Sequence, residues 1–272
     1  MSADASNPLL KIDREDDGVV CLTLNDPQRR NAMTEAMGDA LERATAELSQ
    51  DASLRCVVLT GAPPAFSAGG DLDMLEELGR RTRDEGFDAS ETMRAFYRRF
   101  LALRGLPVPV IAAINGHAVG AGACVALACD LRIVAREAKF GLNFSRLGLH
   151  PGMGGTWLLP RAVGRQRAAE MLYTGRLASG EALANYGMAL EALPSTEVLP
   201  AAMKLAASIA ESSPVVVRQL KANLEGTGIE GPLDRSLEAQ LVLEAQAQAV
   251  NYGTEDLVEG LAAVRARRAP KF

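Results

Sequence analysis

Two segments of this sequence share a pattern that can bind a negatively charged oxygen. In each, an apolar strand-like run passes through glycine into a helix-like run: VVLTGAPPAFSAGGDLDML at 57–75 and VIAAINGHAVGAGACVALA at 110–128. Glycine and alanine let a ligand approach the backbone, and the free N–H groups of a helix start face outward with a favourable dipole. Two such turns can bind one oxygen from two sides, which is an oxyanion hole suited to a thioester carbonyl as its enolate forms.

A dinucleotide site is the competing interpretation, because glycine after a strand also serves pyrophosphate. Neither segment contains GxGxxG or GxxxxGK[ST], and no acidic residue follows a second strand at the distance that a ribose contact requires. A single glycine cluster could also be only a tight strand-to-helix turn. The presence of two clusters favours the oxyanion hole.

The composition predicts one large globular domain. The chain has 272 residues, of which 48% are apolar and 23% charged, enough to bury a full core. Its net charge of -5, with both signs interspersed, offers no basic surface for nucleic acid. The N-terminal segment lacks the features of a signal peptide, and Cys21, Cys56, Cys124 and Cys129 form no CxxC pair. We therefore expect a cytoplasmic protein with free thiols and no nucleic-acid partner.

Residues 108–129 contain no Asp, Glu, Lys or Arg, and about 20 apolar residues are what a membrane span needs. Pro109, Asn115 and several glycines nevertheless divide this run. The pieces suit a buried strand followed by a buried helix start, so no membrane association is predicted.

Strand and helix patterns alternate in the first half of the chain. Strands are predicted at 19–26, 56–61, 108–115 and 130–135. In the first of them Val20, Leu22 and Leu24 share one face. Helices between strands predict an α/β core with parallel pairing.

Helix patterns complete the predicted organisation. Thr34 is the expected N-cap of a helix through about Gln50, and another amphipathic helix covers 93–103. The stretch 80–90 is too charged for a core and predicts a mobile excursion. Further helices are predicted at 165–175, 179–187, 198–225 and 233–252, which would cover the sheet or a neighbouring subunit.

Six motifs follow one another over nearly the whole chain: LNDPQRRNAMT, FSAGGDLDML, PVIAAINGHAVGAGACVALACDLRIVA, FGLNFSRLGLHPGMGGTWLLPRAVG, YTGRLASGEALANYGM and EDLVEGLAAVRARRAPKF. In this order they resemble the enoyl-CoA hydratase/isomerase, or crotonase, superfamily. The resemblance implies a spiral of ββα units over 1–200 that holds an acyl-CoA site. It implies a helical region over 201–272 that covers the site and builds a homotrimer or a hexamer of two trimers. The substrate would be an acyl-CoA thioester, with no tightly bound cofactor and no metal.

The resemblance also assigns residues to the site. The oxyanion donors would be the amides of Gly70 and Ala121, the latter replacing the usual glycine without loss of the N–H. Ala68 and Leu72 would flank the adenine and pantetheine ends of coenzyme A, and Asp71 would cap and orient the loop.

Basic residues in two places resemble those that bind coenzyme A. Arg29 and Arg30 lie where relatives place charges near the phosphates, although a pair of arginines beside a proline turn is equally typical of solvated surface. The terminal RARRAPKF resembles the segment that closes over the cofactor moiety of the substrate.

The acids of the family are missing. The two glutamates of hydratases would stand at Cys124 and Phe144, and the aspartate of phenylacetate-pathway isomerases at Gly152. Phenylalanine cannot exchange a proton, which disfavours two-acid hydration. Isomerisation, decarboxylation or carbon–carbon cleavage through an enolate fits better, and a non-catalytic acyl-CoA-binding protein is the alternative.

Weaker candidates for proton transfer remain. Cys124 near a helix N-terminus would act through a lowered pKa, unless it is a small core residue. His150 would reach the acyl chain, unless it is a solvated turn histidine. Supporting or pocket-lining positions are His117, Tyr97, Asp73, Glu76, Glu77, Met153 and Trp157.

Overall fold

The computed structural model describes residues 8–225 and the isolated positions 259, 266, 268 and 271. The strands are β1 (Leu10–Arg14), β2 (Val19–Leu24), β3 (Cys56–Gly61), β4 (Ala65–Ser67), β5 (Val110–Ile114), β6 (His117–Val119), β7 (Leu131–Ala135), β8 (Lys139–Gly141), β9 (Ala178–Ser179) and β10 (Glu191–Leu193). All four predicted strands are confirmed: β3 has the predicted bounds, and the ends of the other three differ by at most two residues.

The helices alternate with these strands before a helical C-terminal half. They are α1 (Glu35–Ser49), α2 (Leu72–Glu85), α3 (Ser90–Leu101), α4 (Ala121–Ala128), α5 (Gly155–Val163), α6 (Arg165–Thr174), α7 (Gly180–Asn185), α8 (Ser195–Ala210) and α9 (Pro214–Glu225). Short 3-10 helices lie at Pro27–Arg29, Ala102–Gly105 and Asn143–Leu147.

The described strands form two sheets that share a repeating ββα unit. One sheet has the order β1-β2-β3-β5-β7-β10 and the other β4-β6-β8-β9. The pairs β3–β4, β5–β6 and β7–β8 each place their first strand in the larger sheet and their second in the smaller one. Neighbouring units pair in parallel within both sheets. This confirms the predicted α/β spiral of ββα units.

Both faces of β2 are buried, whereas the sequence assigns its apolar side chains to one face. Val19 and Cys21, on the opposite face from Val20, are 1% and 6% exposed. Helix α8 packs across β2, β3, β5 and β7, so a central strand of the larger sheet has no face toward water.

The prediction of a mobile segment at 80–90 is wrong for its first half, which belongs to helix α2. Asp71 caps this helix by accepting a hydrogen bond from the Met74 amide, and the helix continues to Glu85. Arg80 lies 2.8 Å from a Glu77 oxygen and 3.1 Å from a Glu85 oxygen. High charge excludes burial but not helix formation, because ion pairs three or four residues apart, such as Arg80–Glu77 and Arg81–Glu85, stabilise a solvated helix.

Local signals located α1, α3, α6 and α7. The single helix predicted over 198–225 is wrong, because the chain forms two helices, α8 and α9, that are separated at residues 211–213. Proline at 214 can begin a helix but lacks the N–H that would continue one. The Thr34 hydroxyl accepts a hydrogen bond from the Met37 amide and caps α1, as predicted. The predicted boundary between the regions 1–200 and 201–272 falls inside helix α8. The predicted helix over 233–252 and most of RARRAPKF lie outside the described residues.

The uncharged run 108–129 folds as β5, β6 and α4 rather than as one helix. A helix of eight residues rises about 12 Å, far less than the apolar thickness of a bilayer. Among the described helices, none has the length and apolar character to cross a membrane.

Candidate active site

The two glycine-rich turns lie against each other. Strand β4 pairs in parallel with β6, so the turns that follow them leave the same edge of the smaller sheet. Gly69 has φ +102°, and a β-carbon there would lie 2.7 Å from the Val119 carbonyl oxygen and 3.6 Å from the Ala121 nitrogen. A β-carbon on Gly122 would lie 2.5 Å from that of Ser67. Glycine at these two positions therefore permits the contact between the turns.

The amides of Gly70 and Ala121 are unpartnered donors in these adjacent turns. Within residues 8–225 neither N–H donates a hydrogen bond, whereas the preceding amides do. The Gly69 amide donates to the Ser67 hydroxyl at 3.2 Å, and the Gly120 amide to the Gly141 carbonyl at 2.9 Å. Ala121 begins α4, so its N–H lies at the positive end of that helix. Two free donors beside a helix start can bind one oxyanion.

The segment after β2 holds the first turn in place. The Met33 amide donates to the Gly69 carbonyl at 2.8 Å, and the Ala68 amide donates to the Arg30 carbonyl at 2.9 Å. The Asp71 carboxylate caps α2 and also lies 3.2 Å from the Arg29 guanidinium. The predicted capping role of Asp71 is thus visible in the contacts, and the backbone is braced on both sides of Gly70.

Asn31 is a positioning residue that the sequence analysis missed. It is fully buried, has φ +55°, and its side-chain amide donates to the carbonyls of Ala62 and Ala65 at 2.8 and 2.7 Å. Its side-chain oxygen accepts from the Asp26 amide at 2.9 Å. Asparagine tolerates the left-handed conformation, so an asparagine that closely follows the Asp-Pro turn was the sequence signal that could have identified this residue.

The predicted coenzyme A positions lie at the surface beside the first turn. The Arg29 side chain is 59% exposed although it pairs with Asp71, and Arg30 is exposed with a left-handed backbone. Ala68 is exposed, and Leu72 is 69% exposed at the first position of α2. These side chains are accessible to a ligand that reaches the amides from solvent.

Cys124 is buried, and the predicted lowered pKa of its thiol is wrong. The residue has 0% exposure, and burial raises the pKa of the thiol to about 12. Desolvation of the thiolate outweighs the favourable end of the helix dipole. The sulfur lies 3.6 Å from the Gly152 carbonyl oxygen, to which the thiol donates. Cys124 is therefore a neutral core thiol at neutral pH.

The three positions at which the resemblance predicts acids, Cys124, Phe144 and Gly152, lie around the first turn of α4. A β-carbon on Gly120 would lie 3.9 Å from the Phe144 ring, and Cys124 contacts Gly152. A β-carbon on Gly152 would lie 2.6 Å from Cζ of the Tyr97 ring. Tyr97 thus enters the space where a side chain at 152 would lie.

The histidines and the remaining candidates lie at the periphery. His150 is exposed, with Nδ1 2.8 Å from the Pro151 carbonyl oxygen. His117 accepts a hydrogen bond from the Lys139 amide at 3.0 Å, which supports the second turn as predicted. Glu77 pairs with Arg80, and the exposed Asp73 and Glu76 lie on the same helix.

Two further side chains were expected to shape an acyl pocket. Met153 is 1% exposed, and Trp157 is 42% exposed with the Arg161 guanidinium stacked 3.8 Å from its ring centroid. Two open depressions of about 400 and 530 Å³ lie at the β1–β2 hairpin and beside α1, away from every candidate residue. No group of three His, Cys, Asp or Glu residues within the described ranges is arranged to hold a metal ion.

Comparison with known proteins places this arrangement in a family. Residues 14–272 match the family model described as enoyl-CoA hydratase/isomerase. The chain is 40% identical over 245 residues to a Mycobacterium tuberculosis protein named probable enoyl-CoA hydratase EchA14, covering 89% of this chain and 91% of that one. It is 37% identical over 256 residues to the 1,2-epoxyphenylacetyl-CoA isomerase of Escherichia coli, covering 94% and 95%.

The fold agrees with a solved relative. The crystal structure of an enoyl-CoA hydratase from Bacillus anthracis has a TM-score of 0.86 and 33% identity to this chain, covering 97% of it and 98% of the other. The two-sheet ββα architecture is therefore the crotonase fold. The chain belongs to the enoyl-CoA hydratase/isomerase, or crotonase, family.

Proposed function

We propose that the amides of Gly70 and Ala121 bind the thioester carbonyl oxygen of an acyl-CoA and stabilise the enolate formed in the reaction. The observation that carries this proposal is the pair of unpartnered N–H groups in adjacent turns. As the thioester becomes an enolate, negative charge grows on the oxygen, so donors aimed at it bind the transition state more strongly than the substrate. One such donor contributes about 10²–10³ in turnover.

The substrate lies along the exposed surface beside the first turn. Arg29 and Arg30 are accessible to phosphates, and a guanidinium matches phosphate geometry. Ala68 and Leu72 present apolar surface next to Gly70, suited to the adenine and pantetheine ends. The proposed assembly is a homotrimer or a hexamer, and most of the region 201–272 that would build it lies outside the described residues.

The reaction is an enolate reaction other than two-acid hydration. The side chains at the family's acid positions are a neutral thiol at Cys124, a phenyl ring at Phe144 and none at Gly152. Isomerisation, decarboxylation and carbon–carbon cleavage each need an oxyanion hole but not this pair of carboxylates. The E. coli relative named an isomerase supports this class, whereas the M. tuberculosis relative carries the name of a hydratase.

A non-catalytic acyl-CoA-binding role is the second candidate. The buried, neutral Cys124 and the absent carboxylates at Phe144 and Gly152 favour it. The two candidates differ in one observable. An enzyme of this class converts or exchanges hydrogen on a thioester that it binds, whereas a binding protein returns it unchanged.

Mass spectrometry of 2-enoyl, 3-enoyl and carboxyacyl-CoA thioesters incubated with the protein in heavy water separates the candidates. Deuterium gain, double-bond movement or loss of carbon dioxide identifies the reaction, and water addition without them contradicts the proposed class. Binding without any change in every thioester assigns the chain to the binding role.

A matched pair of variants tests the role of Gly70. Gly70→Pro removes the N–H, so turnover should fall about 10²-fold or more. Gly70→Ala keeps the N–H, and its β-carbon would meet only Leu75 at 3.7 Å, an ordinary contact. Equal turnover in folded samples of both variants excludes this amide from the mechanism.

A further inference from the structure

Tyr97 lies on α3, and its phenol contacts Gly152 in the loop before α5. Its Cζ would lie 2.6 Å from a β-carbon on Gly152, and its hydroxyl oxygen is nearer still. No side chain at 152 fits beside that ring without displacing it. The phenol therefore occupies the volume that a side chain at position 152 would fill.

The Tyr97 hydroxyl is available for a ligand. Tyr97 is half-buried, and its ring packs edge-on against Phe96 with centroids 6.4 Å apart. In the part of the chain that the structure describes, the hydroxyl neither donates nor accepts a hydrogen bond. A half-buried hydroxyl without a protein partner satisfies its hydrogen bonds with water or a bound molecule.

Gly152 links the phenol to α4, because it contacts both Tyr97 and Cys124. Cys124, whose sulfur contacts the Gly152 carbonyl, lies three residues after Ala121 in α4, a rise of about 4.5 Å along the helix. Burial and the neighbouring Cys124 raise the pKa of Tyr97 above its ordinary value. The phenol is consequently protonated at neutral pH and can act as an acid rather than as a base.

We infer that Tyr97 is the proton donor to the enolate held by Gly70 and Ala121, an inference that rests on the proposed function. In this step the O–H bond of the phenol breaks and the enolate electron pair forms a new C–H bond as the thioester carbonyl is restored. The tyrosinate then takes a proton from water, and hydroxide leaves to the solvent. The step needs no oxidant, reductant or further reactant.

Tyr97→Phe tests this role, with Tyr173→Phe as the matched control. Tyr173 lies on α6 with 82% exposure, so loss of its hydroxyl should leave turnover unchanged. With a thioester that the wild-type protein converts, Tyr97→Phe should lower kcat by about 10²–10⁴-fold. Thioester binding, measured by calorimetry, should stay within a few-fold, because the phenyl ring and its packing are retained.

The outcomes separate this inference from the proposed function. Wild-type conversion with undiminished turnover in Tyr97→Phe overturns the donor role and leaves the proposed function standing. If the wild-type protein binds the thioesters but converts none, the proposed function and the donor role fail together. Loss of turnover in Tyr97→Phe, with Tyr173→Phe at wild-type turnover, supports the donor role.

A fluorinated tyrosine at position 97 provides a second readout that does not depend on a truncated side chain. Fluorine makes the phenol more acidic at nearly unchanged size. The alkaline limb of the kcat/KM profile should move to lower pH, because the donor must be protonated in the free enzyme. An unmoved limb in an active protein would show that Tyr97 only packs against Gly152.

Discussion

Replacement of Ala121 by proline offers a sharp test of the oxyanion hole. Ala121 is the first residue of α4, a position where proline is favoured because the N–H has no helical partner. Its amide donates to no acceptor within residues 8–225, so proline breaks no described hydrogen bond. The bond from the Cys124 amide to the Gly120 carbonyl, 3.1 Å long, remains possible. The substitution therefore removes the proposed donor and preserves the helix.

The expected loss is that of one oxyanion donor, about 10²–10³ in kcat or about 2.7–4 kcal/mol. Ala121→Gly keeps the N–H and should retain most of the activity, with at most about 1 kcal/mol lost in helix propensity. Initial rates with a converted thioester measure the first effect, and circular dichroism melts establish that both variants fold. Wild-type turnover in folded Ala121→Pro would refute the reasoning.

The double variant Gly70→Pro with Ala121→Pro tests whether both amides bind one oxygen. When two groups act as a unit, removing either one already abolishes most of their joint effect on turnover. Expressed as activation free energies, the loss in the double variant should therefore be smaller than the sum of the losses in the two single variants. A fully additive loss would assign the amides to separate interactions. The comparison requires rates for all four proteins on the same thioester.

Two other predictions concern the framework of the site. Asn31→Ala leaves three carbonyls and one amide without their buried partner, so it should lower the free energy of unfolding by about 1–3 kcal/mol or more. The control Asn185→Ala, at an exposed position, should leave the stability unchanged. Equal melting temperatures of the two variants would contradict the role of Asn31. Burial raises the pKa of Cys124 from 9.0 to about 12, so its contribution to stability is present below about pH 9 and is lost as pH rises toward 12. Cys124→Ala should weaken this alkaline loss of melting temperature, and an identical pH dependence in the variant would contradict the buried, neutral thiol.

Local signals in the sequence predicted the framework around the site. The Thr34 cap, the buried strand at 56–61 and the two strand–glycine–helix turns depend on neighbouring residues, whose spacing and backbone preferences are legible in the chain. Strands β4, β6 and β8 have three residues each, too few for a periodic pattern. Only the resemblance to the family implied the ββα spiral that contains them.

Tertiary packing decided the chemistry of the side chains. A helix start favours a thiolate at Cys124, yet the surrounding core desolvates it and raises its pKa, which depends on residues distant in sequence. Tyr97 meets Gly152 across 55 positions, a contact that no local pattern encodes. The sequence alone therefore specified the elements and the glycine turns, because those follow from local backbone preferences. Which groups are neutral, unpartnered or in contact depended on the folded core, because burial and hydrogen bonding are properties of the whole packed chain.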